Sequence, residues 1–235
     1  MNLPFFYISA FDASKKEIVL DEDASKHIVQ VLRMKEGEQL NLTDGKGNLI
    51  TVGITNAHKK HCTVEVRASS YEPQPARHIT IAVSLLKNTN RFEWFLEKAT
   101  EIGVSEIIPL ICERTEKEKF RYDRMKGICI SAMLQSQQCW LPVLHSPQEF
   151  KQVIERSNQQ QKFIAHCDEG NKQPISDLHI GKFANCLICI GPEGDFTKEE
   201  IELALQNNFI PVSLGETRLR SETAGVVAAA LLRHI

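Results

Sequence analysis

No run in this chain approaches the roughly 20 apolar residues that a membrane-spanning helix needs. The apolar start, Met1 to Ile8, is too short for a signal peptide, has no basic leader and is followed by Asp12. The expectation is a cytoplasmic protein without a membrane. The glycine pattern Gly-x-Gly-x-x-Gly is missing, which argues against a dinucleotide oxidoreductase, and so is the P-loop pattern, which argues against a phosphate-loop enzyme. The seven cysteines are an odd number and scattered, so they do not read as a disulfide framework. Cys186 and Cys189 mimic half of a zinc site, but no second half exists. On a strand, residues three apart point to opposite faces, so they read as buried core and no metal is expected. A net charge of −2 gives no global sign of a nucleic-acid partner.

Basic residues are nevertheless grouped locally. Arg114, Lys117, Lys119, Arg121, Arg124 and Lys126 lie close together, and Lys59-Lys60-His61 forms a second knot of charge. Both groups read equally as RNA contacts or as solvated surface, since Glu113, Glu116, Glu118 and Asp123 are interleaved with the first.

Two regions differ in hydrophobic period. Up to about residue 70 the pattern alternates, as strands do. Leu40 and Leu42 precede the turn signal Asp44-Gly45-Lys46-Gly47, and Ile50, Val52 and Ile54 follow it. Cys62, Val64 and Val66 alternate again. Ala24 to Met34 reads as a short helix with Ile28, Val31 and Leu32 on one face. The region predicts a small β-barrel-like domain over 1–72. Ser70 to Ala76, with Pro73 and Pro75, reads as a linker to a second domain over 76–235.

The second region alternates strand and helix. Strands are predicted at Ile79–Leu85, Glu106–Leu110, Lys162–Cys167, Cys186–Ile190 and Pro211–Leu214. From Arg91 to Ile102, Phe92, Phe95, Leu96, Ala99 and Ile102 form one apolar stripe. Thr197 to Glu200 reads as a capping box. A last helix, Ser221 to His234, is apolar nearly all round and predicts burial in a core or an interface. Such alternation implies an α/β fold with a parallel sheet and ligands at the strands' C-terminal ends.

Two loops there carry glycine: Ile190-Gly191-Pro192-Glu193-Gly194-Asp195-Phe196, and Leu214-Gly215 running to Leu219-Arg220-Ser221-Glu222-Thr223-Ala224. Each opens a helix whose free N–H groups can bind polar atoms. By themselves they mark a ligand site at the sheet edge, or a tight turn together with a structural Arg220–Glu222 ion pair.

Taken together, the two loops resemble those of the RsmE family in the SPOUT methyltransferase superfamily. The likeness spans the chain. His27-Ile28, Val31-Leu32-Arg33, Gly37 and Asp44-Gly45-x-Gly47 are similar to that family's PUA-like domain. Glu97 to Val104, Pro109, Glu113-Arg114, Gln135-Ser136 and Pro142 match its catalytic domain. Asp195 stands where a glycine is usual, and Gln138 where an arginine is common.

The resemblance implies a SPOUT α/β-knot, with a deep trefoil knot at the C-terminus, behind a PUA-like RNA-binding β-barrel. It implies S-adenosylmethionine bound in the knot by Ile190, Gly191, Pro192, Gly194, Leu214, Gly215, Leu219 and Thr223. It implies a homodimer joined through the last helix, and 3-methyluridine in small-subunit (16S) ribosomal RNA as product. The alternative is a non-catalytic RNA-binding protein with a degenerate enzyme domain. Uracil N3 carries a proton that must leave as it attacks a methyl group. Arg220 is the candidate to stabilise the developing anion, and Glu193 or Glu222 to act as base, unless either carboxylate only holds its loop.

Overall fold

The computed structural model describes residues 3–116, 119–181 and 184–234. Met1, Asn2, Lys117 and Glu118 lie outside the described residues. The chain divides into two compact units, one of residues 1–74 with 133–141 and the other of 75–132 with 142–235.

The first unit opens with β1 (Phe5–Tyr7), β2 (Glu17–Val19) and α1 (Glu22–Lys26). It continues with β3 (Gln39–Thr43), β4 (Asn48–Asn56) and β5 (Thr63–Tyr71). These form one sheet in the order β1-β3-β4-β5-β2, parallel at β1–β3 and antiparallel elsewhere. Two register shifts in β4 bend the sheet around a core that includes Ile28, Leu40, Leu42, Ile50 and Val64. Among the described residues the ladder ends at β1 and β2, so it curls without closing.

Two expectations change here. Ser70 and Tyr71 belong to β5, because Tyr71 still pairs with Asn48, so the linker starts at Glu72. After α1 the helix loosens into a π-helical turn over His27–Val31, with Leu32 N–H bonded to the His27 carbonyl at 2.9 Å. The wider turn changes which residues share a face. Ile28 is fully buried, whereas Val31 and Leu32 are exposed.

Met133–Leu141, which the sequence boundary at 76 assigns to the second domain, packs within this first unit. Gly45 and Gly47, both at positive φ, shape the β3–β4 turn against it. A Cβ on Gly47 would stand 2.7 Å from the Trp140 ring, and the indole N–H donates to the Glu72 carbonyl at 2.9 Å.

The second unit runs β6 (His78–Ser84), α2 (Thr89–Ile102), β7 (Glu106–Ile111), α3 (Tyr122–Gln135, its end passing into the first unit), β8 (Val143–Leu144), β9 (Gln148–Glu149) and α4 (Phe150–Arg156). Then come β10 (Gln161–Ala165), β11 (Gln173–Pro174), β12 (Asn185–Ile190), α5 (Lys198–Gln206), β13 (Ile210–Ser213) and α6 (Ser221–His234). The sheet order is β11-β13-β10-β12-β6-β7-β8, with β9 also on β7, and every pairing is parallel.

Strand alternation divides the apolar residues between two layers. Ala82, Leu110, Leu187 and Cys189 face Phe150, Ile154, Ile201 and Ala204 of α4 and α5. The opposite face of β6 and β12 carries α6, which packs in turn on α2. Cys186 and Cys189 are buried in β12, and the capping box at Thr197 closes on Glu200. After β13 the chain crosses back over β10 to place α6 on β12 and β6. This crossing brings the loops after β10, β12 and β13 to one edge.

Candidate active site

These three loops end adjacent parallel strands and enclose a cavity of about 710 Å³. In open α/β sheets the carboxyl ends of the strands are where ligands bind.

The loop after β12 is tightly wound. A Cβ on Gly191 would stand 3.2 Å from the Phe196 amide, so a side chain here would crowd the turn. Phe196 is buried against Phe150, with ring centroids 4.9 Å apart, and anchors the loop's far end. Arg114 donates to the Gly194 carbonyl at 2.7 Å. Lys87 N–H donates to Glu193 Oε1 at 3.2 Å and ties the loop to the segment after β6. The loop after β13 turns at Gly215, whose φ is +137° and where an added Cβ would point into open space. It then exposes Glu216, Thr217, Arg218 and Arg220 before α6 begins. Ala224 N–H donates to the Arg220 carbonyl at 2.7 Å and closes the first helical turn.

Most residues singled out from the sequence come together here. Ile190, Gly191, Pro192, Leu214, Gly215 and Leu219 line the cavity, as do Glu193 and Arg220. Gly194 and Thr223 stand outside the lining, Gly194 being turned towards Arg114. Glu222 also stands behind it, and Arg220 is not its partner. The residue is 7% exposed; its carboxylate faces Arg91, at 3.6 Å from Nε, while its Oε2 is buried without a hydrogen-bond partner. Arg91, in the first turn of α2, does line the cavity.

Sequence reasoning missed Arg91, and also His166, Cys167 and Lys172, which form the wall beyond β10. The strand predicted at 162–167 carried the signal, because its C-terminal end had to lie beside the other two. Burial and the neighbouring Lys172 lower the pKa of His166, and both favour the neutral ring.

The first basic group is divided in the structure. Arg114 braces the first loop, and Arg124 forms a double hydrogen bond with Glu93 at 2.6 and 2.9 Å. Lys119, Arg121 and Lys126 are exposed, and Lys117 is outside the described residues. In the second group Lys60 meets Glu22 at 3.6 Å, and the rings of His58 and His61 stack 5.6 Å apart. Among the described residues no cluster of three metal-ligating side chains occurs, and no helix is long and apolar enough to cross a membrane.

The profile of an RNA methyltransferase domain matches residues 72–233, and that of an RNA methyltransferase PUA domain matches residues 20–67. The ribosomal RNA small subunit methyltransferase E of Synechocystis is 31% identical over 220 residues, covering 90% of this chain and 71% of that protein. The chain belongs to the RsmE family of RNA methyltransferases. A probable rRNA methyltransferase from Porphyromonas gingivalis superposes on this RsmE-family chain with a TM-score of 0.89 at 40% identity, covering 97% of this chain and 95% of that one. The family's ribosomal RNA small subunit methyltransferase E from Neisseria gonorrhoeae, solved with S-adenosylmethionine, does so with a TM-score of 0.87 at 27% identity, covering 97% and 96%.

Proposed function

We propose that this chain methylates N3 of a uridine in small-subunit (16S) ribosomal RNA, using S-adenosylmethionine held in the cavity at the ends of β10, β12 and β13. The observation that carries the reading is the joining of the two glycine loops around one cavity of about 710 Å³, within the roughly 300–1,000 Å³ range of small-molecule sites. The residues suit that cofactor. Gly191 lets the first loop wind tightly where a Cβ would crowd Phe196, and Glu193, Asp195 and Glu216 give the lining an acidic character that suits a ligand which is itself a cation. When bound, S-adenosylmethionine supplies an electrophilic methyl group.

The chain's own groups manage the proton and the charge. Uracil N3 becomes nucleophilic as its proton leaves, and negative charge then spreads over the ring. Arg220, exposed at the cavity rim, stabilises that charge. Glu193 lies at the rim and Glu222 behind it, and one of these accepts the proton. The threading of α6 as a trefoil knot, a homodimer joined through α6, a cytoplasmic location and an assembled or assembling 30S particle as substrate belong to the same proposal.

Mass spectrometry of ribosomal RNA nucleosides from cells lacking the gene tests it. Loss of 3-methyluridine, restored by the wild-type chain, is expected. Unchanged 3-methyluridine rejects the proposal.

A further inference from the structure

The packing of α6 on α2 fixes one pair of charges. Gly225 of α6 lies against the ring of Phe95 of α2. One turn nearer the N-terminus of each helix, Glu222 and Arg91 face each other, with Oε1 3.6 Å from Nε. That gap is too long for a hydrogen bond, so the contact is an ion pair set by the helix packing. Glu222 is buried, and its Oε2 has no hydrogen-bond partner. A carboxylate taken out of water without full pairing is costly. Among the described residues, Arg91 is its single ion-pair partner.

The Arg91 end of the pair is open. Its side chain is 38% exposed, and Arg91 lines the cavity where Glu222 does not. Among the described residues, no acceptor bonds its Nη1 or Nη2, which leaves the four N–H donors of those nitrogens in a planar fork. Such a fork matches two oxygens of a carboxylate or a phosphate. Glu222 faces only the Nε side, so it orients the guanidinium without occupying the fork.

We propose that Arg91 is a binding residue of this cavity for an oxyanion of the reactants, and that Glu222 is its positioning residue and not the base. The reactants carry two such groups, the carboxylate of the methyl donor and the phosphates beside the target uridine. The inference rests on reading the cavity as the S-adenosylmethionine site, and it leaves Glu193 to accept the proton.

Arg91→Ala strands a buried carboxylate, so the double variant Arg91→Ala/Glu222→Gln, which removes both charges, is measured beside it. S-adenosylmethionine and its decarboxylated form are titrated into each protein, and small-subunit RNA is titrated at two salt concentrations. Loss of Arg91 should weaken binding of an oxyanion carrier about tenfold or more, the scale of a charge-assisted hydrogen bond. A loss for S-adenosylmethionine that is absent for the decarboxylated form assigns the carboxylate. A loss for RNA with a shallower salt dependence assigns the phosphate. Arg91→Lys keeps the charge without the fork and should recover only part of the affinity. Equal losses for the two cofactor forms with unchanged RNA affinity would overturn the proposal.

Glu222→Gln keeps the side chain's size and removes its charge. It should weaken the same ligand by a smaller factor and add little in the Arg91→Ala background. Its kcat at saturation should fall by less than about tenfold, whereas losing a general base costs about 10²–10⁴. A loss on that larger scale, present also in the Arg91→Ala background, would make Glu222 the base and overturn the assignment. A wild-type chain that binds neither S-adenosylmethionine nor RNA defeats the reading of the cavity and this inference with it. Wild-type affinity for both ligands in Arg91→Ala and in the double variant defeats this inference alone.

Discussion

Gly225 of α6 lies against the ring of Phe95 of α2, so closely that a Cβ on Gly225 would stand 2.6 Å from Cε2 and 2.8 Å from Cδ2. Helix propensity favours alanine over glycine by roughly 1 kcal/mol, whereas overpacking costs about 1–3 kcal/mol. Phe95 is fully buried and cannot swing into solvent, so overpacking should win. Gly225→Ala should lower unfolding free energy by about 1–2 kcal/mol in a denaturant titration. Adding Phe95→Leu should restore part of the loss, because the two sites are in contact. A Gly225→Ala variant more stable than the wild type would show that the helices separate easily.

Arg220 should matter to turnover more than to folding. Its side chain is exposed at the cavity rim, ahead of the first turn of α6. Arg220→Ala should reduce methyl transfer by about 10²–10³, the scale of losing one preorganised charge-stabilising group. Cofactor affinity and melting temperature should stay near wild type. Near-normal turnover at saturating cofactor and RNA would remove Arg220 from the chemistry. Loss of cofactor affinity together with stability would make it a loop brace.

The acid side of the stability profile should depend on Glu106. It accepts a hydrogen bond from His145 at 3.0 Å and faces His78 at 3.5 Å. The His145 hydrogen bond is the main cause holding its pKa below the ordinary glutamate value, with the charges of His78 and His145 adding to it. A depressed carboxylate stabilises the fold above its unfolded pKa, and that contribution is lost as pH falls through the folded one. The wild type should therefore exceed Glu106→Gln in stability near neutral pH, and the gap should close as pH falls from the ordinary glutamate range through the lower folded pKa. Melting curves across that window measure it, and a gap that stays constant would reject the linkage.

The outward side of α6 should form a dimer. Val226, Val227, Ala230 and Leu231 are only half-buried, whereas Leu232, which the sequence placed with them, is fully buried within its own chain. Light scattering at micromolar concentration should give a dimer. Leu231→Asp should dissociate it, because a closed two-fold contact presents each substitution twice. A monomeric wild type would leave this apolar side unexplained by self-association.

How far the sequence carries depends on the range of the interaction. The β3–β4 hairpin was legible because Asp44-Gly45-Lys46-Gly47 specifies its own turn and the alternating leucines and isoleucines specify a face. The strands of the second unit were legible because a parallel strand covered on both sides must be apolar, as Cys186 to Ile190 is. The capping box at Thr197 is complete within four residues. The side groups that depend on distant partners were not legible. Whether Glu222 would meet Arg220 or Arg91 depends on α2 lying beside α6, and the close spacing of Arg220 and Glu222 in the chain suggested the wrong partner.

Sequence by itself determined the alternating βα order, the two glycine loops and the family, because these rest on local pattern and short spacing. Only the tertiary structure decided that Met133–Leu141 packs with the first unit, that Val31 is exposed by a π-helical turn, and that Asp195 reaches the Cys167 amide. The reason is physical: the first and last of these join residues far apart in the chain, the Asp195 contact following from the pairing of β10 with β12, and a π-helical turn differs from an α-helical one by a shift that hydrophobic spacing does not mark. No periodicity within a segment encodes which distant backbone amide a carboxylate will find.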